Sequence, residues 1–286
     1  MNRRDFIAYG MLLGVQGSLL IPDVAAGANK NRRIINRDRP LEDSAIRDAV
    51  RKAKNFEENF RDDVYMSARK LAVLHKVHQR LSRLQRLVGY ANFNLIAFDT
   101  ARYYARNYSR VGAFTHQETE LIEELFEFDA VHYGFFGRKV STSLTESIKR
   151  RDVKKIRGTG HYLYQGDAIR LFLKMKRQLG PDLILTSGIR SVVKQVHLFI
   201  AKAIKTNGNL SRAARSLAPP GHSFHGIGDF DVGQRGLGAA NFTNAFAKTR
   251  LHQRLEDLGL ITMRYPMSNP YGVRHEPWHI KVVTNV

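Results

Sequence analysis

Cysteine is absent from this chain of 286 residues. Its absence excludes disulfide bonds, zinc–thiolate sites, a cysteine nucleophile and lipid attachment at cysteine. A metal site in this protein would therefore use imidazole and carboxylate ligands.

Acidic residues are scarce: 26 Asp and Glu stand against 46 Lys and Arg, which gives a formal net charge of +20. Such a surface attracts polyanions, which include nucleic acids, anionic lipid head groups and acidic cell-wall polymers. Charge by itself does not choose among them. The apolar fraction of 43% argues against general disorder. The length allows one or two domains with a sizeable core.

Long hydrophobic runs are also missing. The N-terminal apolar run, residues 8–21, is broken by Gly and Gln and is too short to span a bilayer comfortably. Arg3 and Arg4 precede it, and a small-residue pattern at 26–28 comes after it. This arrangement predicts an export signal of the twin-arginine class over residues 1–28, and hence a periplasmic or cell-envelope protein. The alternative is a buried or membrane-lying helix.

The region 29–160 is predicted to be a basic arm followed by helices. An apolar stripe with alternating spacings of three and four indicates a helix or helical hairpin that stops at Gly89. Its members are Leu74, Val77, Leu81, Leu84 and Val88. A second helix is predicted over 95–108, and a capping box at 115–118 opens a third. These helices form either a domain of their own or an elaboration packed against the rest of the chain.

The region 161–286 mixes short strands with helices. We predict helices over 168–179, 192–204 and 242–258, and strands over 183–186, 230–232 and 278–283. Because strands and helices do not alternate regularly, the pattern indicates an α+β fold and not a doubly wound sheet.

Two segments of this region, 219–231 and 276–279, hold the residues that could carry chemistry. A catalytic zinc site needs three imidazole or carboxylate ligands, one open position for water, and a base beside that water. We therefore predict a site for one Zn²⁺ ion made by His225, Asp231 and His279, with Glu276 as the base.

Four motifs give residues 161–286 a resemblance to a known family. They are Ser187-Gly188-Ile189-Arg190-Ser191, Pro220-Gly221-His222-Ser223-Phe224-His225, Asp231-Val232 and Glu276-Pro277-Trp278-His279. In this order they resemble the motifs of the VanY-type D-alanyl-D-alanine carboxypeptidases and dipeptidases. These are zinc peptidases that share a fold with the hedgehog signalling domain. The resemblance implies a small, mostly antiparallel sheet with helices, here preceded by the helical region, and substrates that are peptidoglycan peptides.

The resemblance also implies a role for each motif residue. Glu276 would take a proton from water and pass it to the leaving amine. Arg190 would hold a peptide carboxylate or stabilise the oxyanion, and Ser223 and Gln195 would contact substrate.

One spacing departs from the family pattern, in which the first histidine and the aspartate are seven residues apart. His225 and Asp231 are six apart, whereas His222 and Asp229 are seven apart. Asp229 therefore stays open as an alternative ligand or as a residue that supports the ligands, and His222 stays open with it.

These observations together predict an exported zinc peptidase that cuts peptidoglycan stem peptides, as a D,D-carboxypeptidase or D,D-endopeptidase. The basic surface would suit an anionic wall or membrane. The main alternative is a non-catalytic wall-binding or scaffold protein on the same fold. Nucleic-acid binding is a third interpretation of the charge, and the predicted export signal argues against it.

Overall fold

The structure is a computed structural model that describes residues 43–283. The predicted export signal at 1–28 and basic arm at 29–40 lie outside these residues, so both stay predictions. Within residues 43–283, every helix is too short or too polar to cross a membrane.

Five helices make up the first half of the described chain. They are α1 (Asp43–Lys54), α2 (Ala68–Val88), α3 (Tyr90–Phe93), α4 (Phe98–Asn107) and α5 (His116–Glu127). The predicted stripe lies on α2, where Leu74, Val77, Leu81 and Leu84 are buried and the helix ends at Gly89. The predicted capping box is also present, because Thr115 and Glu118 exchange side-chain-to-backbone hydrogen bonds at the start of α5. α4 starts three residues later than predicted, and α1 was not predicted.

The helical region shares an apolar core with a helix from later in the chain. α7 (Val192–Lys205) buries Val196, Phe199 and Ile200 among the inward residues of α2, α4 and α5. α8 (Leu210–Ala214) adds Leu210 and Ala213 to the same core. The helices are thus an elaboration packed against the C-terminal part of the chain and not a domain of their own.

Two small antiparallel sheets complete the fold, which confirms the predicted α+β class. β1 (Val153–Ile156) pairs with β2 (His161–Tyr164) in a hairpin that was not predicted. β3 (Leu183–Ser187), β4 (Phe230–Gln234) and β5 (His279–Ile280) form a three-stranded sheet with β4 in the centre. Its register places Ser187 beside Asp231 and Asp231 beside His279. Predicted site residues from distant segments therefore become neighbours.

A second apolar core lies between this sheet and three helices. These are α6 (Asp167–Leu179), α9 (Asn244–Ala247) and α10 (Arg250–Asp257). Phe172 and Met175 of α6 pack with Phe230 and Val232 of β4 in this core.

Two predictions about the C-terminal elements were wrong. The single helix over 242–258 is two helices, because the side chain of Thr249 accepts from the His252 backbone and donates to the Phe246 carbonyl. This local bonding ends α9 and caps α10. The strand over 278–283 shortens to β5, because the backbone N–H of Val282 donates to the Asp229 side chain and not to a neighbouring strand.

Candidate metal centre and active site

Three predicted ligands meet in the interior. One ligand atom from each of His225, Asp231 and His279 lies within 4.8 Å of the other two. The three residues are only 1%, 1% and 4% exposed, respectively. His225 comes from a 3-10 turn (Phe224–Gly226), whereas Asp231 and His279 are paired residues of β4 and β5. The cluster therefore depends on the sheet and on the turn that enters it.

The orientation of His225 is set by the backbone of Gly188. His225 Nδ1 lies 2.7 Å from the Gly188 carbonyl oxygen and donates to it, which turns Nε2 toward Asp231. Glycine is needed at 188, since a Cβ there would lie 2.1 Å from the carbonyl oxygen of Tyr162. Burial, and then the charge of Arg190, lower the pKa of His225. The imidazole is therefore neutral, the form that binds metal.

Asp231 has two oxygens with different surroundings. Its Oδ2 accepts a 2.7 Å hydrogen bond from Arg190 Nη2. Its Oδ1 faces His225 Nε2 at 3.3 Å and His279 Nδ1 at 3.5 Å. Burial alone would raise the pKa of Asp231, but the contact with His225 and the charge of Arg190 outweigh burial and hold the pKa below its usual range. Asp231 is therefore an ionised carboxylate with one oxygen directed at both histidines.

His279 is held from its far side by Asp229. Its Nε2 lies 3.1 Å from Asp229 Oδ2, and Arg264 donates to both oxygens of Asp229 at 2.7 and 3.1 Å. Burial would raise the pKa of Asp229, but the hydrogen bonds from His279 and Arg264 lower it to about 2. Burial would likewise lower the pKa of His279, yet its bonds to Asp229 and Glu276 raise it to about 9. Of the two roles left open for Asp229, its placement supports the one that orients a ligand.

The unpaired atoms of the cluster provide a test of whether a cation fits. His225 Nε2 and Asp231 Oδ1 are both buried without a hydrogen-bond partner, although they face each other. Buried polar atoms of this kind cost stability unless something supplies the missing interaction. Two imidazoles and one carboxylate are a common ligand set for catalytic Zn²⁺. The residues present therefore fit a zinc ion.

Glu276 lies in the same cavity as the cluster. Its Oε2 is 3.3 Å from His279 Nδ1, and its Oε1 is 3.9 Å from Arg274 Nε. The backbone N–H of Glu276 donates to the Tyr265 carbonyl, which holds the segment that carries the carboxylate. It is therefore a proton acceptor beside the three candidate ligands.

The other predicted site residues are divided between the cavity and the core. Arg190 lines the cavity, where Nε donates to Ser187 Oγ at 3.0 Å and Nη2 pairs with Asp231. Ser223 also lines the cavity.

Gln195 and His222 do not line the cavity. Gln195 is buried, with Oε1 accepting from the Gly221 N–H and Nε2 donating to the Arg190 carbonyl, so its amide braces two loops. Its predicted contact with substrate stays a prediction. His222 packs edge-on against Phe135, with Nδ1 3.0 Å from the Gly137 carbonyl oxygen. His222 is therefore not among the clustered ligand atoms.

The cavity has a volume of about 400 Å³ and contains residues that the sequence motifs did not single out. The titratable ones among them are His161, Lys194, Lys202, Tyr265 and Arg274. The spacing of the two lysines, eight apart on a helix that begins just after Arg190, could have placed them on one face. Arg264 offered no such signal, because its partner Asp229 is 35 residues away in sequence.

Comparisons with known proteins bear on this part of the chain. Residues 164–285 match the VanY family model, D-alanyl-D-alanine carboxypeptidase. The resemblance inferred from the four motifs is thus confirmed, and it supports a D-Ala-D-Ala peptidase in this region. Comparison with curated proteins gives no significant match.

Two solved structures are similar to the chain. One is a mutant of the vancomycin resistance D,D-pentapeptidase VanY from a VanB-type resistance cassette, in complex with Zn(II). It is 20% identical, covers 52% of this chain and 85% of its own, and has a TM-score of 0.40. The other is VanYB in complex with D-alanine-D-alanine, with 20% identity, coverages of 52% and 84%, and a TM-score of 0.40.

Proposed function

We propose that this protein is a zinc-dependent peptidase that hydrolyses peptidoglycan stem peptides, as a D,D-carboxypeptidase or a D,D-endopeptidase. The observation that carries the proposal is the pair of unpartnered buried atoms, His225 Nε2 and Asp231 Oδ1, beside His279 and Glu276 in one cavity. The VanY match over residues 164–285 supports the substrate class.

His225, Asp231 and His279 would hold one Zn²⁺ ion. When bound, the ion would lower the pKa of its water to about 7 and polarise the peptide carbonyl. His225 Nδ1 is committed to Gly188 and His279 Nε2 to Asp229, so His225 Nε2 and His279 Nδ1 are the nitrogens available to the ion. The Gly188 carbonyl and the Asp229 carboxylate each hold a proton on the far nitrogen of the ring that they contact. His279, whose pKa is raised to about 9, would release its Nδ1 proton when the ion binds.

Glu276 is the general base of the proposed reaction. Its carboxylate would accept a proton from water as the water oxygen bonds to the peptide carbonyl carbon. The same proton would then move to the leaving nitrogen as the C–N bond breaks, which leaves a carboxylate product and a free amine. Arg190, at the cavity wall beside Asp231, would donate to the developing oxyanion or to a peptide carboxylate.

The location of the protein forms part of the same proposal. Export by the twin-arginine route would bring a folded enzyme to the periplasm or cell envelope, where its substrate lies. The net charge of +20 would favour an anionic wall or membrane surface.

Incubation of the zinc-loaded protein with muropeptides, read by mass spectrometry, tests the function. Loss of a terminal alanine would indicate a carboxypeptidase, and loss of a cross-link an endopeptidase. We expect a chelator to abolish either change. Glu276→Gln should lower kcat by about 100- to 10,000-fold while zinc stoichiometry stays at one, because a positioned base contributes a factor of that size.

Glu120→Gln is the matched control, because Glu120 is exposed on α5, far in sequence from the cluster, and should leave kcat unchanged. Normal turnover by Glu276→Gln would refute the assignment of the base. Zinc binding by the wild-type protein without turnover of any muropeptide would favour the non-catalytic wall-binding alternative.

A further inference from the structure

Positive charge accumulates in the cavity that holds the cluster. Four cationic side chains line this cavity, and its lining carboxylates are Asp231 and Glu276. The cations are Arg190, Lys194, Lys202 and Arg274. Arg190 is paired with Asp231, and Arg274 lies near Glu276. Two lysines therefore remain without a counter-charge from the cavity wall.

Neither lysine finds a carboxylate elsewhere in the described chain. Across residues 43–283, no Asp or Glu oxygen lies within 4 Å of the amino group of Lys194 or Lys202, and neither group donates a hydrogen bond to a protein atom. The amino group of Lys194 lies over the aromatic ring of Phe93, with Nζ 5.8 Å from the ring centroid. Both side chains are partly buried. A buried ammonium without a partner is costly, and an anionic ligand would relieve that cost.

The electrostatic surroundings of the lysines agree with this picture. Burial, followed by the charge of Arg190, lowers the pKa of Lys194 to about 8. Burial also lowers the pKa of Lys202, although Glu57 opposes the shift from a distance. Burial thus destabilises both groups as cations, while a pKa of about 8 still leaves Lys194 mostly charged at neutral pH.

The helix that carries the lysines sets their direction. Lys194, Leu198 and Lys202 lie at successive intervals of four on α7, and all three line the cavity. Eight residues at 1.5 Å each separate the two lysines by about 12 Å along the helix. Lys194 is four residues from Arg190, which pairs with Asp231 of the cluster. An extended peptide of three to four residues spans the same length.

We infer that Lys194 and Lys202 form an anion subsite that binds a carboxylate of the peptide substrate, so that the enzyme prefers acidic peptides to their amidated counterparts. This inference rests on the proposed peptidase function and names a specificity determinant for it. The carboxylate could belong to the C-terminus of the peptide or to an acidic side chain, and the two sources are separable by amidation.

The test compares three synthetic peptides that end in D-Ala-D-Ala. The first has a free C-terminus and a glutamate before the alanines, the second has glutamine in place of glutamate, and the third has a C-terminal amide. Lys194→Met should lower kcat/KM on the first peptide about tenfold or more, mainly through KM, since a charge-assisted hydrogen bond is lost. Lys202→Met should act in the same direction, and Lys194→Arg should retain most of the activity.

The peptide on which Lys194→Met has no effect identifies the source of the carboxylate. If glutamine removes the effect, the subsite binds the side chain; if the C-terminal amide removes it, the subsite binds the terminus. Lys205→Met is the matched control, because Lys205 lies on the same helix but is exposed and does not line the cavity. Equal losses on all three peptides, or no loss on any, would overturn the subsite.

Calorimetric titration of the same peptides into zinc-loaded protein separates this inference from the function on which it rests. If no peptide is hydrolysed but the acidic peptide still binds in a Lys194-dependent way, the peptidase proposal fails and the subsite stands. If peptides are hydrolysed with no preference for the acidic form in wild type or variants, the peptidase stands and the subsite fails.

Discussion

Charged side chains are buried in both the helical region and the sheet region, but in different ways. In the helical region, Arg80 donates to both oxygens of Glu118 at 3.0 and 3.1 Å, and its remaining nitrogen reaches the Val111 and Gly112 carbonyls. In the sheet region, Asp231 gives one oxygen to Arg190 and leaves the other without a hydrogen bond. The first arrangement is complete by itself, whereas the second is not.

The two regions differ in whether their buried charged groups are fully hydrogen-bonded within the protein. A fully hydrogen-bonded pair such as Arg80–Glu118 ties α2 to α5 and offers nothing for a ligand to complete. The His225–Asp231–His279 cluster includes two buried polar atoms without a hydrogen-bond partner, and a divalent cation would supply the missing interaction. Incomplete bonding at one buried cluster therefore says more about function than buried charge in general.

Breaking the complete pair should have the largest effect on stability. Arg80→Met would leave the carboxylate of Glu118 buried without its cation, and Glu118 is only 1% exposed. We expect the free energy of unfolding to fall by about 3–5 kcal/mol, as when one partner of a buried ion pair is removed. Urea unfolding of the metal-free wild-type and variant proteins measures this loss in the free energy of unfolding.

Arg86→Met is the control for that experiment, because Arg86 lies on the same helix and is exposed. We expect zinc affinity to be unchanged in the folded Arg80→Met protein. A loss below about 1 kcal/mol, the size of an exposed ion pair, or a change in zinc affinity would contradict the separation between the two regions.

Weakening the support of one ligand should have a smaller effect, confined to the metal. Asp229→Asn keeps an acceptor for His279 Nε2 but removes the charge that Arg264 and His279 both contact. We expect zinc affinity to fall about 10- to 100-fold, the usual result of altering a partner of a metal-bound histidine. Competition with a chromophoric chelator measures the affinity, and the visible spectrum of the cobalt-substituted protein reports the ligand geometry.

Asp99→Asn provides a charge-matched control in the helical region, where Asp99 is exposed. It should leave zinc affinity at the wild-type value. Equal affinities for wild type and Asp229→Asn would show that Asp229 does not support the metal centre.

The smallest predicted effect is a pH dependence that belongs to the helical region. His197 of α7 contacts Ser82 Oγ through Nε2 at 3.0 Å, and burial, followed by the charges of Lys194 and His78, lowers its pKa to about 3. Below about pH 6.5, this histidine becomes protonated in the unfolded chain but stays neutral in the folded chain. Stability from the neutral imidazole is therefore present above about pH 6.5 and is lost as the pH falls, by about 2 kcal/mol between about pH 7.5 and 5.

His197→Gln should flatten the pH dependence by that amount, since glutamine can still bond to Ser82 but does not titrate. Unfolding in urea at both pH values measures the free energy of unfolding of variant and wild type. The difference between the two proteins removes the contribution of other histidines that titrate in this range. His75→Gln, at an exposed position on α2, should leave the slope unchanged. If the free energy of unfolding changes with pH equally in wild type and His197→Gln, His197 does not cause the pH dependence.

Sequence patterns predicted those elements whose signals are local. The stripe on α2 and the capping box of α5 repeat within a few turns, so neighbouring residues suffice to identify them. The break between α9 and α10 at Thr249 was not predicted. The shortness of β5 was not predicted either, because the alternating pattern over 278–283 is continuous. The side chain of Thr249 donates to the Phe246 carbonyl, although the helical pattern of the sequence continues through this position. The backbone N–H of Val282 donates to the side chain of Asp229.

The sequence by itself determined which residues could bind zinc, because only histidines and carboxylates remain when cysteine is absent and the four motifs single out a few of them. It left open whether Asp229 or Asp231 faces the cluster. The tertiary structure decided that question, because pairing of β4 with β5 sets Asp231 beside His279 while Arg264 draws Asp229 to the far side of the ring. Strand register and long-range ion pairs join residues that are 35 to 50 positions apart, and no local pattern records such distances.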